Sequence, residues 1–295
     1  MNKENRLRRI EEVITKPGKH WVGNGFYVRN YFPMGRNLME RFNPFFLLDY
    51  NEAMEFPGSK SPRGIGAHPH RGIETVSFAF QGAIEHHDNQ GNHGIIWPGD
   101  VQWMTAGKGI MHKEYHEQGY RERGGIFHMV QLWVNLPASA KFTEPGYQAV
   151  PGESMGLAVL PEDAGEIRVV AGAYQGVQGP ARSFTPMNVL LGKLAPGGEA
   201  VLQEPGGWNL GILLTAGQGL VQGQGFSEGD FLLFANEEGK AVLEGGEEGL
   251  SFLVLSGEPL REPIAAGGEF VMNTREELEE AFEDRRQGRF GSLDF

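Results

Sequence analysis

The chain reads as an all-β protein built from two antiparallel barrels, and three observations carry that reading. Beyond residue 20 the apolar residues fall in short or alternating runs, GFYVRNYF, NPFFLLDY, IETVSFAF, GIIWPGDVQWM and IFHMVQLWVNL, punctuated by Gly, Pro, Asn and Asp. Glycine supplies 44 of 295 residues, about twice its usual share of roughly 7%, so turns are frequent. The sequence also repeats weakly. With Gly82 laid on Gly217, ETVSFAFQGAI falls over NLGILLTAGQGL and WPGDVQWMTA lies close to SEGDFLLFA.

Taken in order, residues 1–137 are expected to form the first barrel. Pro, Gly and Ser then interrupt all periodicity, which places a linker at 138–156. IRVVAGAY, MNVLLGKL, NLGILLTA, GDFLLFA and LSFLVLSG form a second barrel within 157–295. The tail changes period: Thr274 and Glu277 make a capping box, and Leu278, Ala281 and Phe282 recur at helical spacing. Arg285 and Arg286 suit a helix end that Gly288 can terminate. One amphipathic helix over 275–287, packed on a barrel wall, is the expectation.

Composition narrows the function. With 38 acidic against 26 basic residues the net charge is −12, which repels phosphate backbones and anionic lipid heads, so direct nucleic-acid or membrane binding is disfavoured. The chain has no cysteine, which excludes disulfides, thiolate metal sites and cysteine nucleophiles, and fits a reducing compartment. The opening MNKENRLRRIEEVITK is charged where a signal peptide needs an apolar core, and no eighteen apolar residues run together. A soluble, cytoplasmic protein is expected. TAGKGIMH lacks the remaining residues of a phosphate loop, GQGLVQGQG sits between strands rather than opening a helix, and there is no Gly-x-Ser-x-Gly elbow.

The informative segments are GIGAHPHRGIETVSFAFQG (64–82) and PGDVQWMTAGKGIMHKE (98–114). His68 and His70 are two apart, so on a strand both imidazoles leave the same face. Continuing that parity, Glu74, Val76, Phe78 and Phe80 would share it. His112 and Glu114 form a second such pair. One interior histidine is more often a hydrogen-bonded core residue than a ligand. Two pairs with a carboxylate in reach instead suit a borderline divalent ion: Fe(II), Mn, Co, Ni, Cu or Zn. All nine histidines lie at or before His128, and the repeat sets Gln203 and Pro205 over His68 and His70; the second barrel is therefore expected to hold no metal. His86, His87, Asp88 and His93 read as a solvated hairpin, His116 as pocket rim and His128 as a packed barrel residue. His20 says little. Trp97, Trp103 and Trp133 could line a pocket or fill a core.

HPHRGIETVSFAFQG, PGDVQWMTAGKGIMHKE and VQLWVNLP (130–137) together resemble the pirin family of the cupin superfamily. The resemblance runs from about Phe26 to Pro137 in specific motifs and beyond that in general layout. It implies a bicupin, two stacked antiparallel β-barrels of which only the N-terminal one holds a metal, usually iron. Its ligands would fall on His68, His70, His112 and Glu114. Glu74 sits where many other cupins place a ligand carboxylate, making it either a competing ligand or a base. The resemblance further implies a dioxygenase like quercetin 2,3-dioxygenase, opening a flavonol with O2 while Glu114 or Glu74 takes the substrate proton. Animal pirins imply a second reading, a non-enzymatic redox or regulatory protein acting through protein partners. A zinc sugar isomerase is disfavoured, because VQWMTAGKGIMHKE is not the signature of those enzymes.

Overall fold

The computed structural model describes residues 6–293; the first five residues of the charged opening lie outside them. The fold is the expected all-β bicupin, with two α-helices among the described residues. None of the described helices is long and apolar enough to cross a membrane.

The chain forms two compact units, and neither is a contiguous half. Residues 18–152 with 260–295 make one; residues 1–17 with 153–259 make the other. This differs from the division at 137 and 157. The opening strand β1 (Ile10–Thr15) pairs antiparallel with Phe231–Phe234, setting Val13 opposite Leu232. Arg8, read as part of a charged lead-in, is fully buried and donates to the carbonyls of Ala235 and Trp208. A charged strand joining a distant sheet leaves no periodic signal of its partner in the sequence.

In the first unit, strands β2 (Lys19–Val22), β3 (Phe26–Phe32), β4 (Phe45–Pro57), β5 (Gly64–His70), β6 (Ile73–Gln81), β7 (Ile84–Asp88) and β8 (His93–Ile96) are followed by β9 (Val101–Thr105) and β10 (Ile110–His116). A short helix, α1 (Gln118–Arg123), precedes β11 (Gly124–Asn135) and β12 (Gly146–Val150). They form a seven-stranded sheet, β12-β9-β6-β11-β4-β3-β2, and a four-stranded sheet, β5-β10-β7-β8. Alternation gives each sheet one apolar face. Phe26, Phe127 and Met129 from the larger sheet meet Ile84 and Ile96 from the smaller in one buried cluster. Truncating a ring such as Phe127 there would cost about 3–5 kcal/mol.

The tail completes this unit. Helix α2 (Arg275–Arg286) starts at the predicted capping box and stops just short of Gly288, whose φ of +67° ends the turn. Phe282 packs edge-on against Phe270, ring centroids 5.3 Å apart. Asp284 accepts from Arg71 at 2.7 Å, directly after His70.

The second unit is built on one nine-stranded sheet, with a two-stranded ribbon of Ala173–Tyr174 and Val177–Gln178. Its strands Asn209–Val221 and Ala241–Gly257 are long enough to serve both layers, and bulges at Leu214–Ala216 and Gly217–Gly219 turn the corner. Leu190, Ile212, Leu214, Leu232, Phe234 and Val254 fill its interior, as the apolar runs predicted. The repeat is visible in one turn. The Trp97 amide donates to Asp100 and the Ser227 amide to Asp230, at 3.2 and 2.9 Å, with Gly99 and Gly229 at positive φ in both copies.

Candidate metal centre

Two paired strands bring three histidines together. His68 and His70 alternate with Pro69 along β5, and the β5–β10 ladder sets His112 directly opposite His68. The ring centroids of His68, His70 and His112 lie 4.4–4.9 Å apart. One ring nitrogen from each falls within 4.8 Å of the others. His70 and His112 are buried, and burial holds both well below the ordinary histidine range; it lowers His68 too. All three are therefore neutral near pH 7, the form that binds a metal.

The outer hydrogen bonds assign the tautomers. His68 Nδ1 donates to the Gly66 carbonyl at 2.8 Å and His70 Nδ1 to the Glu269 carbonyl at 3.1 Å, leaving both Nε2 atoms as bare lone pairs. A buried chain sets His112. Asp88 Oδ2 accepts from His86 Nε2 at 3.3 Å, so His86 Nδ1 is an acceptor, shared by Gln102 Nε2 at 3.3 Å and His112 Nδ1 at 3.4 Å. The lone pair of His112 Nε2 then faces that of His68 Nε2 at 3.0 Å. Two such lone pairs repel unless positive charge lies between them, and three convergent imidazole nitrogens suit a borderline divalent ion. The residues present fit a metal.

Glu114 is buried beside them. The β10–β7 ladder sets it opposite His86, while a register shift in the β10–β5 ladder sets it opposite Ile65. Its Oε1 accepts from Ser77 Oγ at 2.9 Å and from Gln102 Nε2 at 3.3 Å. Glu114 groups with His86 and His112 at ligand spacing, so His112 is common to both clusters. Gln131 donates to Ser77 at 3.1 Å, which links Glu114 to the cavity wall.

That cavity, about 310 Å3, is lined by His68, His70, Glu114 and Glu269 at its polar end. Phe26, Val28, Leu47, Ile65, Met129 and Trp133 make it mostly apolar. Trp133 meets His70 edge-on at 4.9 Å. Asp49, also in the wall, is pushed up to about 6 by burial, opposed by its hydrogen bond from Asn30.

Several expectations need correction. Glu74 does not line the cavity. Between His70 and β6 the chain turns through Gly72 at φ +78°, so parity counted along β5 does not survive into β6. Ser77, opposite the cavity residue Gln131, carries the cavity-facing parity of β6, and Glu74 lies on the other face. There it accepts from Thr105 Oγ1 at 2.8 Å, and burial raises it to about 7. His116 is no rim residue: it is fully buried, bonded to the Gly25 carbonyl at 2.8 Å and stacked on Phe127. Trp103 is fully buried and Trp97 half-exposed; neither is among the cavity-lining residues. His20, passed over, is in the wall. His86, expected in a solvated hairpin, is fully buried. Its i, i+2 spacing to Asp88 was the available signal. His128 is packed as expected, bonded to Tyr50 at 2.9 Å.

The sequence compares with known families in keeping with this geometry. The Pirin family model matches residues 25–134, and the model of the pirin C-terminal cupin domain matches residues 189–291. The chain belongs to the pirin family. One pirin relative, from Pseudomonas aeruginosa and provisionally named a quercetin 2,3-dioxygenase, is 43% identical over 284 residues, spanning 96% of this chain and 99% of its own. Pirin-1 of Arabidopsis thaliana is 34% identical, over 96% of this chain and 94% of its own. The crystal structure of a quercetin 2,3-dioxygenase from Acinetobacter baumannii superimposes with a TM-score of 0.92 at 40% identity, covering 98% of this chain and 100% of that one.

Proposed function

We propose that this pirin is a metal-dependent dioxygenase that opens the heterocycle of a flavonol with O2. His68, His70, His112 and Glu114 would hold one divalent transition metal, with Fe(II) first among the candidates. The observation that carries the reading is the gathering of nitrogens from His68, His70 and His112 within 4.8 Å, with Glu114 at the same spacing from His112, where His68, His70 and Glu114 line a mostly apolar cavity. When bound, such an ion supplies a Lewis-acid and redox-capable centre.

The chain's own residues do the rest. Phe26, Val28, Met129 and Trp133 offer flat, apolar surface to an aromatic substrate and keep water from it. Glu114 takes the proton of the flavonol hydroxyl on a carboxylate oxygen. Ser77 and Gln102 hold that carboxylate in place by their hydrogen bonds to Oε1. Gln131 stands in the wall where it can orient a ring substituent. The net charge of −12 and the lack of cysteine accord with a cytoplasmic enzyme that acts on a small molecule.

Binding can be separated from turnover. Under anaerobic conditions, quercetin added to iron-loaded protein should bind at one equivalent per chain, with a shift in its visible absorption as the hydroxyl ionises. Trp133→Ala should weaken that binding at least tenfold. Binding that is equally tight without metal and in His70→Ala would remove this reading.

A further inference from the structure

Strand β7 carries two adjacent histidines, and alternation sends them to opposite sides. His86 and Asp88 are buried against His112, whereas Glu85 and His87 face outward. We propose that this outward face is a second divalent-metal site, formed by Glu85, His87 and His93, for a borderline ion such as Zn2+. It shares no residue with the inner cluster and stands whether or not the protein is a dioxygenase.

The donor atoms are already gathered. Glu85 Oε1 lies 3.2 Å from His87 Nε2 and 2.9 Å from His93 Nε2, and the two imidazole centroids are 4.2 Å apart. Around a tetrahedral zinc, with ligands at about 2.0–2.2 Å, neighbouring donors stand about 3.3–3.5 Å apart. Glu85 is thus within a few tenths of an ångström of that spacing from each imidazole, and all three ligand atoms lie within 4.8 Å of one another. Two imidazoles and a carboxylate, without thiolate, form a donor set that zinc accepts, with a fourth position left to water. His93 is half-exposed, so that position opens to solvent.

The backbone preorganises the set. His87 and His93 are cross-strand partners in the β7–β8 hairpin, and Glu85 precedes His87 by two residues on the same face. Asp88 braces the turn between them, accepting from the amides of Gln90 and Asn92 at 2.9 and 3.0 Å. Tyr115, opposite Glu85 on β10, stacks on His87 at 5.7 Å and limits its rotation. The carboxylate–imidazole contacts alone could be two hydrogen bonds, and metal uptake distinguishes the cases.

The test is equilibrium dialysis of the full chain against Zn2+, read by elemental analysis. A His70→Ala/His112→Ala variant, in which the inner cluster is dismantled, should retain one zinc per chain. Adding His93→Ala or Glu85→Gln to that background should weaken uptake at least tenfold. Circular dichroism keeps folding in view, and half-exposed His93 is replaceable without loss of core. In the wild-type chain, His93→Ala alone should lower zinc by one equivalent. Zinc content and affinity unchanged by both His93→Ala and Glu85→Gln, or no zinc in the His70→Ala/His112→Ala variant while it remains folded, would overturn the proposal.

Discussion

His86 and His112 face each other through their Nδ1 atoms, 3.4 Å apart, inside the four-stranded sheet. The contact joins the candidate metal cluster to a carboxylate that never reaches it. Asp88 fixes the proton on His86 Nε2, His86 thereby fixes the proton on His112 Nδ1, and the Nε2 lone pair of His112 turns toward His68.

Outer partners of this kind are worth about 10- to 100-fold in metal affinity. His86→Phe keeps the stacking on Tyr147 but removes the acceptor, so metal affinity should fall by that factor while the fold persists. Competition with a chelator, monitored by metal release, measures it. Asp88→Asn should act in the same direction and more weakly.

Glu114→Gln should lower kcat more than it raises KM for the flavonol, because a general base contributes about a hundred- to ten-thousand-fold to rate. Steady-state oxygen uptake separates the two constants. Glu74→Gln should leave both close to wild type, since its carboxyl faces Thr105 and not the cavity.

Glu74 should instead mark stability. Burial raises it from 4.5 to about 7, against the hydrogen bond from Thr105. Between those values the native state holds a proton that the unfolded chain has released. Wild-type stability therefore falls as pH rises from 4.5 to 7, by up to about 3 kcal/mol. Glu74→Gln should abolish this component, so its melting temperature should gain on wild type between pH 4.5 and 8.

Much of this was legible in the sequence, and what was not has physical causes. The pairs His68/His70 and His112/Glu114 stand out because i, i+2 spacing on a strand fixes a common face, whereas the preference for Glu114 over Glu74 rests on the pirin resemblance. Glu74 was misread because facing does not carry across a turn, and Gly72 ends the strand on which the count began. His86 was missed because a polar run, IEHHDNQGNHG, looks like a loop until its neighbours in β10 bury every second residue. The Glu269 carbonyl that orients His70 lies 199 residues away, and only the tertiary fold brings it there.

The same long-range closure gives a stability prediction. Buried Lys141 donates to the Gly72 and Val271 carbonyls, at 2.8 and 2.6 Å, and to Asn135 Oδ1, tying the tail to β6 and β11. Lys141→Met takes this donor from the Val271 carbonyl and Asn135 Oδ1, while the Gly72 carbonyl keeps the Leu136 amide, and such losses cost about 2–4 kcal/mol. The variant should melt several degrees lower and be cleaved near residue 270 by trypsin sooner than wild type, as timed digestion would record.

The central claim is that the inner histidine cluster holds a metal at which a flavonol meets dioxygen. It is tested most directly by following quercetin loss and dioxygen uptake together, using metal-reconstituted protein beside a His70→Ala control treated identically. The account predicts one O2 consumed per quercetin by the wild type, and a rate in His70→Ala near that of free metal. Equal rates with both proteins would contradict it, and the partner-binding reading of this pirin would take its place.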